Sequence, residues 1–331
     1  MPILGIERLV YGVDDLQKCA RFWEDLGLSK LGQDDDGSTF ETLTGSRVCV
    51  RRRGECGVED WFDAKGVQLV VWGVDTPESL ERLADGLARD RAVRRDSDGT
   101  IISATDEGVP FGLKVWAKRP VVSQPDPVNA PDNIQRLNQL RKWRSRAIPK
   151  AINHVVFATN DYVGTYQFYK DRLGFRLSDH SRGIGAFLRG DGTYEHHTVL
   201  WANANGPIPT KPGFHHASFC VEDIDELMIG VNRMQELGWV EDLRKTGGLS
   251  RHRISSAMYC YIPNPNGGEA EYLCDTDYVD DTWIPRVWQW QFGAALWAHD
   301  RPAIFGKIDD NWGVELDPGG KSLEEYKLPL N

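Results

Sequence analysis

The chain repeats itself, and that limits its fold more than any single motif does. The stretch IERLVYGVDDLQKCARFWEDLGL at residues 6–28 has a counterpart, INHVVFATNDYVGTYQFYKDRLGF, at residues 152–175. In each, a short apolar run passes through a polar turn into an amphipathic stretch ending in Leu-Gly. The run reads as a strand and the stretch as a helix. Phe22, Trp23 and Leu26 match Phe168, Tyr169 and Leu173 at helical spacing. Gly27 and Gly174 are natural helix stops. A second pair follows, GVQLVVWGVDTPESLERLADGL at 66–87 and GFHHASFCVEDIDELMIGVNRMQELG at 213–238. Here Asp75 with Glu78, and Asp223 with Glu226, resemble capping boxes. Short alternating segments broken by Gly, Asp, Asn and Pro come after each helix, two or three antiparallel strands apiece.

The sequence therefore predicts an α+β protein of four repeated βαβββ modules forming two barrel-like domains. Residues 1–120 hold the first pair and 151–280 the second. Residues 121–150 separate them as a linker and short helix. The proline-rich KRPVVSQPDPVNAPDN reads as the linker and NIQRLNQLRKWRSRAI as a basic helix. Residues 281–331 lie outside the repeats and carry Trp283, Trp288, Trp290, Trp297 and Trp312. They are expected to pack on the body as a tail, a lid over a pocket being one reading.

All eight histidines fall between His154 and His299. Aligning the repeats sets His154 against Arg8, His216 against Leu69, and Glu271 against Gly112. Neighbours on a strand point to opposite faces, so His215 and His216 cannot share one environment. It is His216 that matches His154 in register. Two buried imidazoles and a buried carboxylate without partners would be expensive. Gathered on one face they form the two-His, one-carboxylate set that leaves open positions on a metal, typical of non-haem Fe(II) oxygenases. The first pair of modules keeps the scaffold without these residues and is expected to be non-catalytic. His196 and His197 in YEHHTVLW, His252 in LSRHRISS and Tyr261 in YCYIPNP are candidates for acid–base groups around the metal. Each also has a bland reading, as a sheet aromatic or a surface residue. His180 and His299 read as structural.

The net charge of −10 and pI of 5.3 argue against nucleic-acid and anionic-membrane partners. No apolar run approaches the roughly 18–20 residues of a membrane span, and MPILGIERLVYG lacks the features of a signal peptide. Six cysteines without a CxxC pair read as free thiols in a reducing, cytoplasmic setting.

The sequence resembles the type I extradiol ring-cleaving dioxygenases of the vicinal-oxygen-chelate superfamily over roughly residues 5–280. The resemblance is strongest in INHVVFATND, EHHTVLW, GFHHASFCVED and SRHRISSAMYCYIPNPNGGEAEYLCDTDY. It implies that His154, His216 and Glu271 are ligands of Fe(II), with Mn(II) chemically close. It implies that His196, the first of its pair, is the acid–base histidine, and that His252 and Tyr261 hydrogen-bond the substrate or an intermediate. The turn before the glutamate reads Asn-Pro-Asn-Gly where many relatives have Asp-Pro-Asp-Gly. The implied activity is extradiol (meta) cleavage of a catecholic ring, with both atoms of O₂ inserted, in aromatic-compound degradation. The implied partners are a small catecholic substrate, O₂ and further copies of the chain in a homo-oligomer. The alternatives are a glyoxalase-type metal isomerase or lyase, and a non-catalytic aromatic-ligand binding protein of the same fold.

Overall fold

The computed structural model describes residues 3–57, 66–300 and 313–328. Trp312 lies outside the described residues. Strand β1 (Ile3–Val13) runs into helix α1 (Leu16–Leu26), and β2 (Ser29–Asp34), β3 (Gly37–Glu41) and β4 (Arg47–Arg52) follow. The pattern recurs as β5 (Gly66–Val74), α2 (Pro77–Leu87), β6 (Arg94–Arg95), β7 (Ile101–Ala104) and β8 (Pro110–Val115). These strands form one sheet in the order β2-β3-β4-β1-β5-β8-β7-β6. The first strands of the two modules pair antiparallel at its centre, and each pairs in parallel with the last strand of its own module.

The second half repeats this plan. It contains β9 (Ala151–Thr159), α3 (Tyr162–Leu173), β10 (Arg176–Ser181), β11 (Gly185–Arg189) and β12 (Val199–Asn203). Then come β13 (Gly213–Cys220), α4 (Ile224–Glu236), β14 (Ser250–Arg251), β15 (Met258–Pro263) and β16 (Glu269–Cys274). The tail adds β17 (Arg286–Trp288), the short helix α5 (Trp290–Ala294), β18 (Trp297–Ala298) and β19 (Val314–Leu316). The second sheet runs β18-β14-β15-β16-β13-β9-β12-β11-β10-β17-β19, so the tail extends it at both edges.

Local chemistry explains the helices. Cys19, Phe22, Trp23 and Leu26 line the buried face of α1 at helical spacing. Asp15 caps its first turn by accepting from the Lys18 N–H. Gly27 and Gly174 close α1 and α3 in the left-handed conformation, with φ of 106° and 77°. Asp223 caps α4, while the Glu226 carboxylate accepts from the Glu222 and Ile148 N–H groups. At α2 the cap is Thr76, one residue beyond the expected Asp75. Its hydroxyl accepts from Ser79, and Asp75 accepts from the Thr76 N–H instead.

The two halves share one core. Trp72 packs edge-on against Tyr169 and Phe175, and Trp23 lies tilted against Phe219. The Trp23 indole N–H donates to Asn266, and the Tyr272 hydroxyl donates to the Leu26 carbonyl.

Residues 133–148 do not form the expected helix. Asn129 takes the N–H groups of Gln135 and Arg136, Asp126 takes that of Lys142, and Asn138 sits at φ 55°. Arg144 and Arg141 tie the segment to Glu222, Asp223 and Asp225 beside the start of α4. Ile134, Leu137, Leu140 and Trp143 are left exposed, so the segment has no apolar face that helix formation would bury.

The end of the tail is pinned through a buried histidine. His180 Nδ1 donates to the Ser322 hydroxyl at 2.6 Å, Ser322 donates to Asp317, and the Tyr162 hydroxyl donates to His180 Nε2 at 3.1 Å. That arrangement needs a neutral ring. Burial, the largest cause, pushes His180 down to about 4 from the usual 6.5. Its folded affinity for the proton is below the unfolded one, so its contribution is whole above pH 6.5. It is lost as the pH falls toward 4, on the order of 3 kcal/mol in full. We predict that urea midpoints of wild type and His180→Gln, measured between pH 7.5 and 4.5, converge as the pH falls. A gap that stays constant across that range would sink the assignment.

Candidate metal centre

Three adjacent strands set three side chains on one face. β13 lies between β9 and β16, with Ser218 opposite both His154 and Glu271. His216, two residues from Ser218, shares that face. His154 Nε2 is 3.2 Å from His216 Nε2 and 3.3 Å from Glu271 Oε2, and His216 Nε2 is 3.9 Å from the same oxygen. All three residues are buried.

A β-bulge decides which histidine of the pair joins them. Phe214 pairs with Phe157 and His216 with Val156, so His215 is the extra residue. Phe214 packs on the core side, against Tyr11 and Phe157. Unbroken alternation from Phe214 would have turned His215 toward the metal face. The bulge advances the chain by one and delivers His216. The first sheet has the same bulge, with Gln68 skipped between Val67 and Leu69.

The hydrogen bonds behind the cluster leave lone pairs in front of it. His154 Nδ1 is 3.0 Å from the Asn153 amide oxygen, which can only accept. The proton therefore sits on Nδ1, and Nε2 is bare. His216 Nδ1 is 2.7 Å from His215 Nδ1, which can fix its ring in the same way. Neither Glu271 oxygen meets a hydrogen-bond donor of good geometry among the described residues. Burial drives His216 far below the usual histidine range, and the neighbouring imidazoles add to this. Bare imidazole nitrogens facing an ionised, unpartnered carboxylate are what a divalent cation requires.

The equivalent place in the first half is filled. Arg8 lies opposite Val71 and Val71 opposite Gly112, where the second half has His154, Ser218 and Glu271. Val10, Cys49, Cys56, Leu69, Val71 and Ile102 form an apolar cluster on that face. A side chain at Gly112 would start 2.9 Å from Val71. Arg8 turns to Asp98 and Thr100.

A cavity of about 520 Å³ opens in front of the cluster, lined by His154, His197, His216, His252, Tyr259 and Tyr261 among others. Trp290, Gly293 and Ala294 of the tail form part of its wall. A larger depression of about 820 Å³ is shallow and contains none of the histidines. His252 Nδ1 donates to the Ala294 carbonyl at 2.6 Å, and its ring stacks on Tyr259 at 3.9 Å. Burial lowers the His252 imidazole. Burial, reinforced by Glu271, raises the Tyr261 phenol well above its ordinary value, so it stays a donor.

His196 is not at the cavity, contrary to the sequence expectation. It is fully buried behind His197, with Nδ1 3.1 Å from His197 Nδ1 and Nε2 3.2 Å from Asp179 Oδ2. His197 lines the cavity and lies over His154, ring centroids 4.1 Å apart. The two histidines precede β12, in an irregular segment held by the His196 N–H to Asp277. Strand alternation gives no guide there, and the buried carboxylate of Asp179 claims the first of the pair. Burial and the surrounding imidazoles hold His197 far below its usual range. Asp179 lies 17 residues before His196 in an ordinary strand, and only the pairing of β10 with β17 reveals its role.

Residues 151–267 match the family model described as Glyoxalase/Bleomycin resistance protein/Dioxygenase superfamily. This part of the chain is a domain of that superfamily. Among curated relatives, Metapyrocatechase 2 of Cupriavidus necator is 27% identical over 212 residues, 63% of this chain and 61% of that protein. An iron-dependent extradiol dioxygenase of Rhodococcus jostii is 29% identical over 164 residues, 46% of this chain and 51% of that protein. The matches thus span between half and two thirds of these relatives. The crystal structure of a Mn(II)-bound glyoxalase from Novosphingobium aromaticivorans superposes with a TM-score of 0.70 at 20% identity, covering 97% of this chain and 99% of that one. At that identity the likeness is one of fold.

For the superfamily domain we predict that His216→Ala loses bound metal on gel filtration, as read by elemental analysis. His215→Ala should keep it, with affinity lowered roughly 10–100-fold because only the orienting contact is lost. Retention by His216→Ala, or complete loss by His215→Ala, would reverse the assignment.

Proposed function

We propose that the protein is an Fe(II)-dependent extradiol dioxygenase that cleaves a catecholic ring with O₂, in the breakdown of aromatic compounds. The observation that carries this is the convergence of His154, His216 and Glu271 at the end of a cavity that also presents His197, His252 and Tyr261. The two-His, one-carboxylate set suits iron, and a bound ion would supply Lewis acidity toward a catechol and a place to activate O₂. The names of the curated relatives agree with this reading.

The chain's own groups divide the remaining work. His252 Nδ1 is committed to the Ala294 carbonyl, so its Nε2 is free to accept a proton from a catechol hydroxyl. Tyr261 keeps its proton and donates a hydrogen bond to a ring oxygen. His197 takes the acid–base role that the resemblance assigned to its neighbour. Asp179 already accepts from the Trp288 indole and the Arg286 N–H, so His196 Nε2 donates to it. In neutral His196 the other nitrogen then accepts from His197 Nδ1, which leaves His197 Nε2 bare. A proton taken up at His197 can be stabilised through His196 toward the Asp179 carboxylate. The stacked Phe157–Trp201 pair and the core behind it exclude water from the far side of β9 and β12.

The test is anaerobic loading with Fe(II), then 3-methylcatechol, then air, following O₂ uptake and near-visible absorbance together. Stoichiometric uptake with a new yellow chromophore is expected. Iron binding with neither signal across several catechols would overturn the reaction class and favour an isomerase or a binding protein. His197→Phe should keep iron and slow turnover roughly 10²–10⁴-fold. His196→Phe should act less severely and mainly shift the pH profile. Equal turnover by wild type and His197→Phe would remove His197 from the mechanism.

A further inference from the structure

The cavity before the metal site is lopsided in character. Ile184, Phe187, Leu200, Ile254 and Trp290 give it an apolar wall. Glu269 stands out against that wall. It sits on the same face of β16 as Glu271, opposite His216 in the strand register, and its side chain borders the cavity. It is half-buried and makes no hydrogen bond or ion pair with another described residue. Asp300 adds a second carboxyl at the rim. The one lysine or arginine among the described lining residues is Lys245, and its ammonium is already 2.9 Å from Glu241.

A carboxylate carried into this space would lose water and find, among these residues, only the Lys245 ammonium in its exposed pair with Glu241. It would also stand beside a carboxyl group that is itself unpartnered. An apolar substituent would instead bury its surface on the wall, worth about 25 cal/mol per Å². Glu269 is not a candidate ligand, since Glu271 fills that place. Its location two residues along the strand sets it at the border of the cavity, beside the candidate metal cluster.

We propose that Glu269 is a specificity residue that, with the apolar wall, admits catechols bearing an uncharged ring substituent and turns away those bearing a carboxylate. The inference rests on the catechol reading above. It concerns which catechol is taken, not how the ring is opened.

The experiment compares 4-methylcatechol with 3,4-dihydroxyphenylacetate, which differ in charge at the same ring position. With the iron-loaded protein at pH 8, O₂ uptake should give a kcat/KM at least about tenfold higher for the neutral catechol. Glu269→Gln should narrow that ratio by roughly tenfold. A wild-type ratio near one, or a ratio unchanged by the substitution, overturns the proposal. Calorimetry on the metal-free protein supplies a readout independent of turnover. There 4-methylcatechol should bind, 3,4-dihydroxyphenylacetate should bind at least about tenfold more weakly, and Glu269→Gln should gain affinity for the carboxylate. If that discrimination holds while no catechol is turned over, the dioxygenase reading fails and the charge selectivity stands. If catechols are turned over without discrimination, the reverse is true.

Discussion

The site depends on one irregularity in a strand. β13 must keep its register with β9 and β16 so that His154, His216 and Glu271 face one point. It must also pack Phe214 against the core, on Tyr11 and Phe157. Strict alternation cannot do both with this sequence, because Phe214 and His216 would then lie on the same face. The bulge at His215 separates the two demands. The bulged residue is then left beside His216, where its ring nitrogen meets the ligand's Nδ1. Gly268 tightens the same corner: it has φ +63°, and a Cβ there would fall 2.4 Å from the His215 carbonyl.

The same bulge occurs in the first sheet, where the described residues form no metal set, so it belongs to the scaffold rather than to the chemistry. In the first half, Leu69, Val71 and their neighbours close the concave face with apolar side chains. In the second, Ser218 and the three candidate ligands replace them. The first half contributes what a filled module can. Its Trp23 and Trp72 rings build the joint core, and its Asp25 accepts from Trp239 across the interface. Site and support are thus divided between two copies of one plan.

Most of this was legible because repeats can be compared with each other. The four modules, the glycine stops of α1 and α3, and the alignment of His154, His216 and Glu271 against Arg8, Leu69 and Gly112 all came from matching the chain to itself. The alignment even carried the bulge, since both copies have it. The basic segment 133–148 failed because its helical spacing had no surface to bury against, while nearby Asn and Asp side chains competed for its N–H groups. The placement of His197 rather than His196 at the cavity was not legible for a related reason. They lie outside any regular strand, and what separates them is a carboxylate brought near only by sheet pairing. Neither competitor leaves a periodic trace.

That carboxylate also joins two features that look separate. Asp179 receives the His196 imidazole on one oxygen, together with the Trp288 indole at 2.7 Å. Its other oxygen receives the Arg286 N–H at 2.8 Å. Both of those donors belong to β17, the first strand of the tail, which pairs in parallel with β10 at this same residue. The helix that follows β17 supplies Trp290 and Ala294 to the cavity wall, and Ala294 in turn orients His252. A buried acid with three donors from two directions is held far more rigidly than one with a single partner. Docking of the tail and the orientation of His196 behind His197 therefore rest on the same group. The tail is part of the site's construction, not a cover laid over a site already complete.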